Sequence, residues 1–333
     1  MKAEDSATPT STIAVGPTVG DADGTARTAR APKSPGGEPG SRRTGPNGTL
    51  LAGLGVLAFS LTFPSTAWGL ESFGPWSLVA LRSLLAAVIA GGVLLTARVR
   101  VPERRHWAGL AVVAGGVVVG FPLLTTLALQ TSTTSHAAVV VGLLPLTTAV
   151  FSSLRTGSRP SRTFWAAAVT GAGVVIAFTV LQSGGTLSAG DLFLFGALLV
   201  CAAGYTEGGR LAKVMPGWQV IGWALILTLP LAVAGTALAL PYEPVRLTAH
   251  GVIGVVWVAA CSTFLGLYVW YRGMAEIGVA RASQLQLAQP LLTLVWSYLL
   301  LGEEVSAAAP VAAVAVLLCI AATQRTGGTG RGR

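Results

Sequence analysis

Between residues 49 and 323 the chain is a succession of long apolar runs parted by short polar breaks. The runs fall at 49–69, 75–97, 107–129, 137–154, 163–181, 191–211, 217–240, 251–272, 280–301 and 306–323. Each is close to the ~20 residues that an α-helix needs to cross ~30 Å of hydrocarbon. Lipid offers backbone amides no partner, so such segments must be helices or strands of a closed barrel, and unbroken apolarity excludes the alternation of a barrel. The runs therefore predict an all-α membrane protein with ten transmembrane helices. The charged fraction agrees, at 11% against the roughly one quarter of a soluble domain. The 42 glycines suit helices that pack closely in lipid.

Outside the runs, residues 1–46 are rich in Thr, Pro, Gly, Ala and Arg without apolar period. They cannot bury enough surface to offset chain entropy and are predicted to form a disordered tail. Residues 324–333 form a second, shorter tail. The net charge of +9 lies in these tails and in the connectors, so it reads as topology rather than as a nucleic-acid surface. On the side of the tails lie Arg98, Arg100, Arg104 and Arg105, then Arg155, Arg159 and Arg162, then Arg210, Lys213, Arg272 and Arg281, and finally Arg325, Arg331 and Arg333. The other side holds Arg246 with Glu71, Asp191, Glu243, Glu303 and Glu304. The bias predicts a multi-pass protein with both termini cytoplasmic.

Several chemistries find no support. Cys201, Cys261 and Cys319 lie in separate runs without metal-ligand spacing, so neither a disulfide framework nor a metal site is expected. "GLGVLA" (53–58) lies inside an apolar run rather than at a strand-to-helix turn, so it is no dinucleotide loop. There is no Walker A motif, no GxSxG and no HExxH. The expectation is a protein with no cofactor and no catalytic site.

A shift of 145 residues lays the fourth run on the ninth: His136-Ala137 falls on Arg281-Ala282, Pro145-Leu146 on Pro290-Leu291, Thr148 on Thr293 and Gly157 on Gly302. A slightly different shift lays "GTLLAGLGVLAFSLTF" (48–63) on "GDLFLFGALLVCAAGY" (190–205). The pattern predicts two five-helix repeats, 47–181 and 190–323. An odd number of crossings per repeat forces the second into the membrane from the opposite face, so the repeats are inverted. Inverted repeats can expose a shared midplane site to either side in turn, which points to transport.

Four stretches carry a family resemblance: "ALRSLLAAVIAG" (80–91), "ALQTSTTSHAAVVVGLLPLTTAVFSSL" (128–154), "GDLFLFGALLVCAAGYTEGGRLAK" (190–213) and "YRGMAEIGVARASQLQLAQPLLTLVWSYLLLGE" (271–303). In these the chain resembles the EamA-type branch of the drug/metabolite transporter (DMT) superfamily over nearly all of 49–323. The resemblance implies a ten-helix carrier of the cell (inner) membrane, many relatives being exporters of amino acids or other small metabolites. One departure stands out: the first repeat ends "FSSLRTGSRP", without the Leu-Gly-Glu of the second.

The ninth run also holds the least expected residues. At 100° per residue Ser283, Gln286, Gln289, Thr293 and Ser297 fall within about 120° of arc, a polar stripe on an apolar helix. Such a stripe faces either a substrate cavity or another helix, where each interhelical hydrogen bond is worth about 0.6 kcal/mol. Pro145 and Pro290 each remove a backbone donor near midspan and are expected to bend their helices, freeing carbonyls and serving in gating.

Glu207 reads as a coupling or cation-recognising carboxylate at depth, or as an interfacial group beside Arg210 and Lys213. Arg82 reads as a snorkelling side chain, a partner of Glu71, or an anion site facing the cavity; because the resembling family has arginine here, a structural or gating pair is implied. Trp68, Tyr205, Tyr268 and Tyr271 are belt aromatics or cavity walls. His136 is an interfacial polar group.

The expectation is a secondary carrier that binds a small molecule between its repeats, in a lipid bilayer and with possible proton coupling. Two alternatives stay open. One is a multidrug or quaternary-cation exporter centred on Glu207; the other is an intramembrane lipid-handling enzyme or assembly factor.

Overall fold

The computed structural model describes residues 46–157, 161–182, 187–277 and 285–327. The N-terminal tail, Arg159, Arg281, Ser283 and the last six residues lie outside the described residues. Eight helical segments are long and apolar enough to cross a membrane: Gly48–Ser72, Pro75–Thr96, Arg104–Ala128, Thr134–Arg155, Arg162–Gln182, Ala189–Leu211, Gly217–Ala239 and Ala249–Gly273. Two shorter apolar helices follow, Gln289–Leu301 and Ala308–Ala322. All ten fall on the predicted runs and are called the first to tenth spans below. Among the described residues the only strand-like pairing is one bridge between Phe73 and Val245.

Pairing of the spans follows a two-fold rule. The first packs on the eighth, the third on the sixth, the second on the seventh, the fourth on the ninth and the fifth on the tenth. Exchanging the halves turns the first–eighth pair into the sixth–third pair and leaves the other three unchanged. Equivalent spans also run in opposite directions. The start of the second span (Ser77) meets Glu243 beyond the end of the seventh, and the start of the fourth (Thr134) meets Glu303 beyond the end of the ninth. The end of the fifth (Gln182) meets Ser306 before the tenth. The two five-span repeats are thus inverted. The end of the bundle that gathers Ser72, Thr134, Glu243 and Glu303 is called the distal end, because the chain enters the first span from the other.

Local irregularities repeat as well. The third and eighth spans each contain a π-helical stretch, Ala114–Gly120 and Trp257–Gly266. The fourth is interrupted after Val141 and restarts at Leu144; the ninth restarts at Gln289 after a turn at 287–288. Pro145 and Pro290 are therefore first-turn residues of new helices, where the missing N–H costs nothing, rather than bends within continuous ones. Both restarted helices end on a glycine with left-handed backbone, Gly157 (φ 65°) and Gly302 (φ 63°), as helix stops require.

Packing rests on small residues, as expected where lipid removes the hydrophobic drive between helices. At the third–sixth crossing a Cβ on Gly204 would stand 2.8 Å from Val117 Cγ2 and 3.2 Å from Val117 N, so the backbones touch there. A continuous core of Val139, Val140, Val175, Leu194 and Ile320 joins the fourth, fifth, sixth and tenth spans. A second, around Leu110, Leu211, Ala224 and Leu225, joins the third, sixth and seventh.

Candidate functional site: a chamber between the repeats

The interrupted fourth and ninth spans meet break to break. A Cβ on Gly142 would lie 3.8 Å from Pro290 Cβ. Around this point lies a chamber of about 180 Å3 lined by Phe63, Gly142, Pro145, Thr148, Tyr205, Gln286, Gln289, Pro290 and Thr293. The residue four before each proline, Val141 and Gln286, has a carbonyl with no α-helical donor. Both also line the chamber.

The hydroxyls of the ninth span's polar stripe are spent on helix contacts, although Thr293 also lines the chamber: Thr293 Oγ1 donates to Ser60 O at 2.8 Å, and Ser297 Oγ donates to Thr293 O at 2.9 Å. Trp296 Nε1 adds a bond to Ser60 Oγ at 3.0 Å. Gln286 and Gln289, one turn nearer the break, face the open volume.

A second volume of about 90 Å3 adjoins the first and shares with it Phe63, Val141, Leu144, Tyr205, Gln286 and Gln289. Its far wall holds Arg82, Thr62, Ser262 and Thr263. Arg82 is buried, with 6% of its surface exposed. Its Nη2 donates to Thr263 Oγ1 at 2.9 Å, and that hydroxyl donates in turn to Val258 O at 2.6 Å, inside the π-helical stretch of the eighth span. Thr62 and Ser262 share a hydrogen bond of 2.6 Å beside it. Among the described residues no ion pair reaches Arg82; Glu71 stands instead 3.9 Å from His250 Nδ1.

Other predicted residues sit elsewhere. Glu207 accepts from Arg210 Nε at 2.7 Å and from Arg210 Nη2, and Gly109 of the third span covers its carboxylate. Glu207 does not line either volume. Tyr268 packs edge-on against Trp218, Tyr271 lies over Gly217, and Trp68 stacks on His250 at the distal end.

Sequence reasoning passed over three polar clusters. His136 Nε2 lies 2.7 Å from Asp191 Oδ1, and Asp191 Oδ2 accepts from Ser188 N and Oγ at 2.8 and 2.7 Å, an arrangement signalled by the Ser188-x-x-Asp191 capping pattern. Glu303 accepts from Thr134 N at 2.8 Å and Ser135 N at 2.9 Å, capping the fourth span. Glu243 does the same for the second, accepting from Ser77 N at 2.6 Å and Trp76 N at 3.2 Å. Capping in trans leaves no local sequence signal.

Comparison with known proteins agrees with this architecture. The EamA-like transporter family matches twice, over residues 46–180 and 188–323. A Bacillus subtilis (strain 168) protein named "Uncharacterized transporter YdeK" is 42% identical over 282 residues, 84% of this chain and 97% of its own. A protein of known crystal structure, 21% identical, superposes with a TM-score of 0.59 over 83% of this chain and 95% of its own, which supports the fold. Two family matches on two inverted repeats, joined by a relative 42% identical over 84% of the chain, place the chain in the EamA-like transporter family of multi-pass membrane transporters.

Proposed function

We propose that the chain is a secondary active transporter, without catalysis of its own, that exports a small organic metabolite such as an amino acid by alternating access. The observation that carries this reading is the chamber where the broken fourth and ninth spans meet, one from each repeat. Discontinuous helices at a repeat interface offer freed carbonyls and amide side chains to a ligand, and rocking of one repeat against the other exposes that ligand to each side in turn. The arginine bias of the terminal connectors supports a cell (inner) membrane location with both termini in the cytoplasm. A cation exporter would need a free acid in the chamber, and Glu207 is committed to Arg210.

The test is flux in proteoliposomes loaded with a mixture of radiolabelled amino acids. Saturable efflux above that of protein-free vesicles, reduced about tenfold by Gln289→Leu through loss of one buried polar contact, is expected. Efflux equal to that of empty vesicles overturns the reading.

A further inference from the structure

Among the described residues Arg82 is the one charged side chain on the walls of either volume. A guanidinium offers five N–H donors in a planar fork. Here one bond goes to Thr263 Oγ1, and because Thr263 spends its own proton on Val258 O, its lone pair is held facing the arginine. The cation is thus fixed in place by a neutral acceptor. Around it the chamber supplies only neutral polar groups: the Thr62–Ser262 hydroxyl pair, Tyr205, Gln286 and Gln289. A buried cation surrounded by neutral dipoles is an electrostatic vacancy for one negative charge. The fork geometry selects a planar two-oxygen anion, to which it can present parallel N–H bonds.

We propose that Arg82 is the anchor for a carboxylate, so that the transported ligand is a small monocarboxylate compound, free acid or amino acid, with its anion at Arg82 and its remaining body toward Gln286 and Gln289. This rests on the transporter reading and names its substrate class. The π-helical stretch of the eighth span has a part in it: with wider winding, Val258 O receives the Thr263 hydroxyl five residues on, which sets the lone pair that holds Arg82.

The experiment uses the full chain in lipid nanodiscs and matched acid and amide probes: lactate with lactamide, benzoate with benzamide, L-threonine with L-threoninamide. Melting temperature is followed as each probe is titrated. At least one acid is expected to stabilise the protein at concentrations about tenfold below its amide, as loss of a charge-assisted bidentate contact predicts. Arg82→Gln should abolish that preference. Arg82→Lys should keep the preference with affinity weakened by about tenfold, because the charge remains and the fork does not. Should Arg82→Gln fail to fold, Arg82→Lys and Thr263→Val, which frees the arginine from its mooring, carry the comparison; both should weaken the acid and spare the amide.

No acid binding better than its amide, or a preference that survives in Arg82→Gln, overturns the proposal. The two readings fail separately. Acid binding that needs Arg82 without any flux in proteoliposomes removes the carrier and leaves the anion site. Saturable flux of amides or cations indifferent to Arg82 removes the anion site and leaves the carrier.

Discussion

If the chain is an alternating-access carrier, Glu303 is the group that would latch its distal end, and it gives the sharpest test of that reading. Gly302 turns the chain left-handed at the end of the ninth span, and Glu303 N donates to Ser297 O at 3.2 Å, a six-residue closure that fixes where the side chain points. Its two oxygens then accept from Thr134 N and Ser135 N, the first free donors of the fourth span, in residues only 1% and 5% exposed. Hydrogen bonds to a charged group are worth about 1.5–3 kcal/mol each when fully buried, and a carboxylate at a helix N-terminus gains a further ~0.3–1 kcal/mol. Glu303 itself is half-buried, so solvent screening reduces the sum to about 1–2 kcal/mol. Glu303→Ala should therefore raise the population open at the distal end by about 5- to 30-fold.

Spin labels at the exposed positions Gln130 and Ala307, in a background without native cysteines, report the separation across that end by pulsed electron resonance. Wild type should give one short distance, Glu303→Ala a second, longer one, and the exposed neighbour Glu304→Ala the wild-type result. An unchanged distribution in Glu303→Ala, or an equal change in Glu304→Ala, refutes the latch.

Three further outcomes follow from the same geometry. Gly204→Leu forces a side chain into Val117 and its backbone and should cost about 3 kcal/mol or more in overpacking, seen as lost monodisperse protein on gel filtration, whereas Gly209→Leu, with nothing within 4 Å, should behave as wild type. Asp191→Asn disturbs a fully buried carboxylate held by Ser188 and His136; it should lower stability by about 3 kcal/mol in thermal unfolding, against about 1 kcal/mol for the cap variant Ser188→Ala. Glu207→Gln loses only a partner that is itself half exposed, so proteoliposome flux should change by less than about twofold; a collapse of flux would return Glu207 to the coupling role.

The fold was legible because lipid makes the signal one-dimensional: apolar length decides where spans lie, and among the described residues eight of the ten runs became helices long enough to cross and two became shorter apolar helices. The repeat was legible because Pro145 with Pro290 and Gly157 with Gly302 mark events that backbone chemistry dictates, a restart and a stop. The two prolines free carbonyls at Val141 and Gln286 at a restart rather than at a bend, since a helix that has already broken at 142–143 admits proline in its next first turn without strain. The chamber was half legible. Gln286, Gln289 and Thr293 were placed on the chamber wall by periodicity, but the same periodicity gave Ser297 an identical standing, and the bond from Thr293 to Ser60 of the first span was out of its reach. Arg82 had three readings because its partner Thr263 lies 181 residues away. Glu243 and Glu303 read as loop acids because the donors they satisfy belong to helices of the other repeat.

Those trans caps bear on how a nearly two-fold molecule acquires a direction. The pairing of spans is unchanged when the halves are exchanged, so two conformations related by that exchange would keep the same helix pairings. Only features that break the symmetry can bias one over the other. Gly302 is followed by Glu303, but its counterpart Gly157 is followed by Ser158, which carries no charge. The distal end is further tied by Arg246 N to Ser72 O at 2.9 Å and by the Ser72–Thr248 hydroxyl pair at 3.0 Å. On the carrier reading, these contacts favour the state closed at the distal end when the chamber is empty. A ligand reverses that preference only through stronger binding to the other state. On the same reading Arg82, moored to Thr263 in the eighth span's π-helical stretch, is the group through which a bound carboxylate would bear on that preference. Glu303→Ala should then open the distal end with or without ligand, Arg82→Gln alone should leave the wild-type distance unmoved by an acid that shifts it in the wild type, and in the double variant the long distance should appear without acid and not change when acid is added.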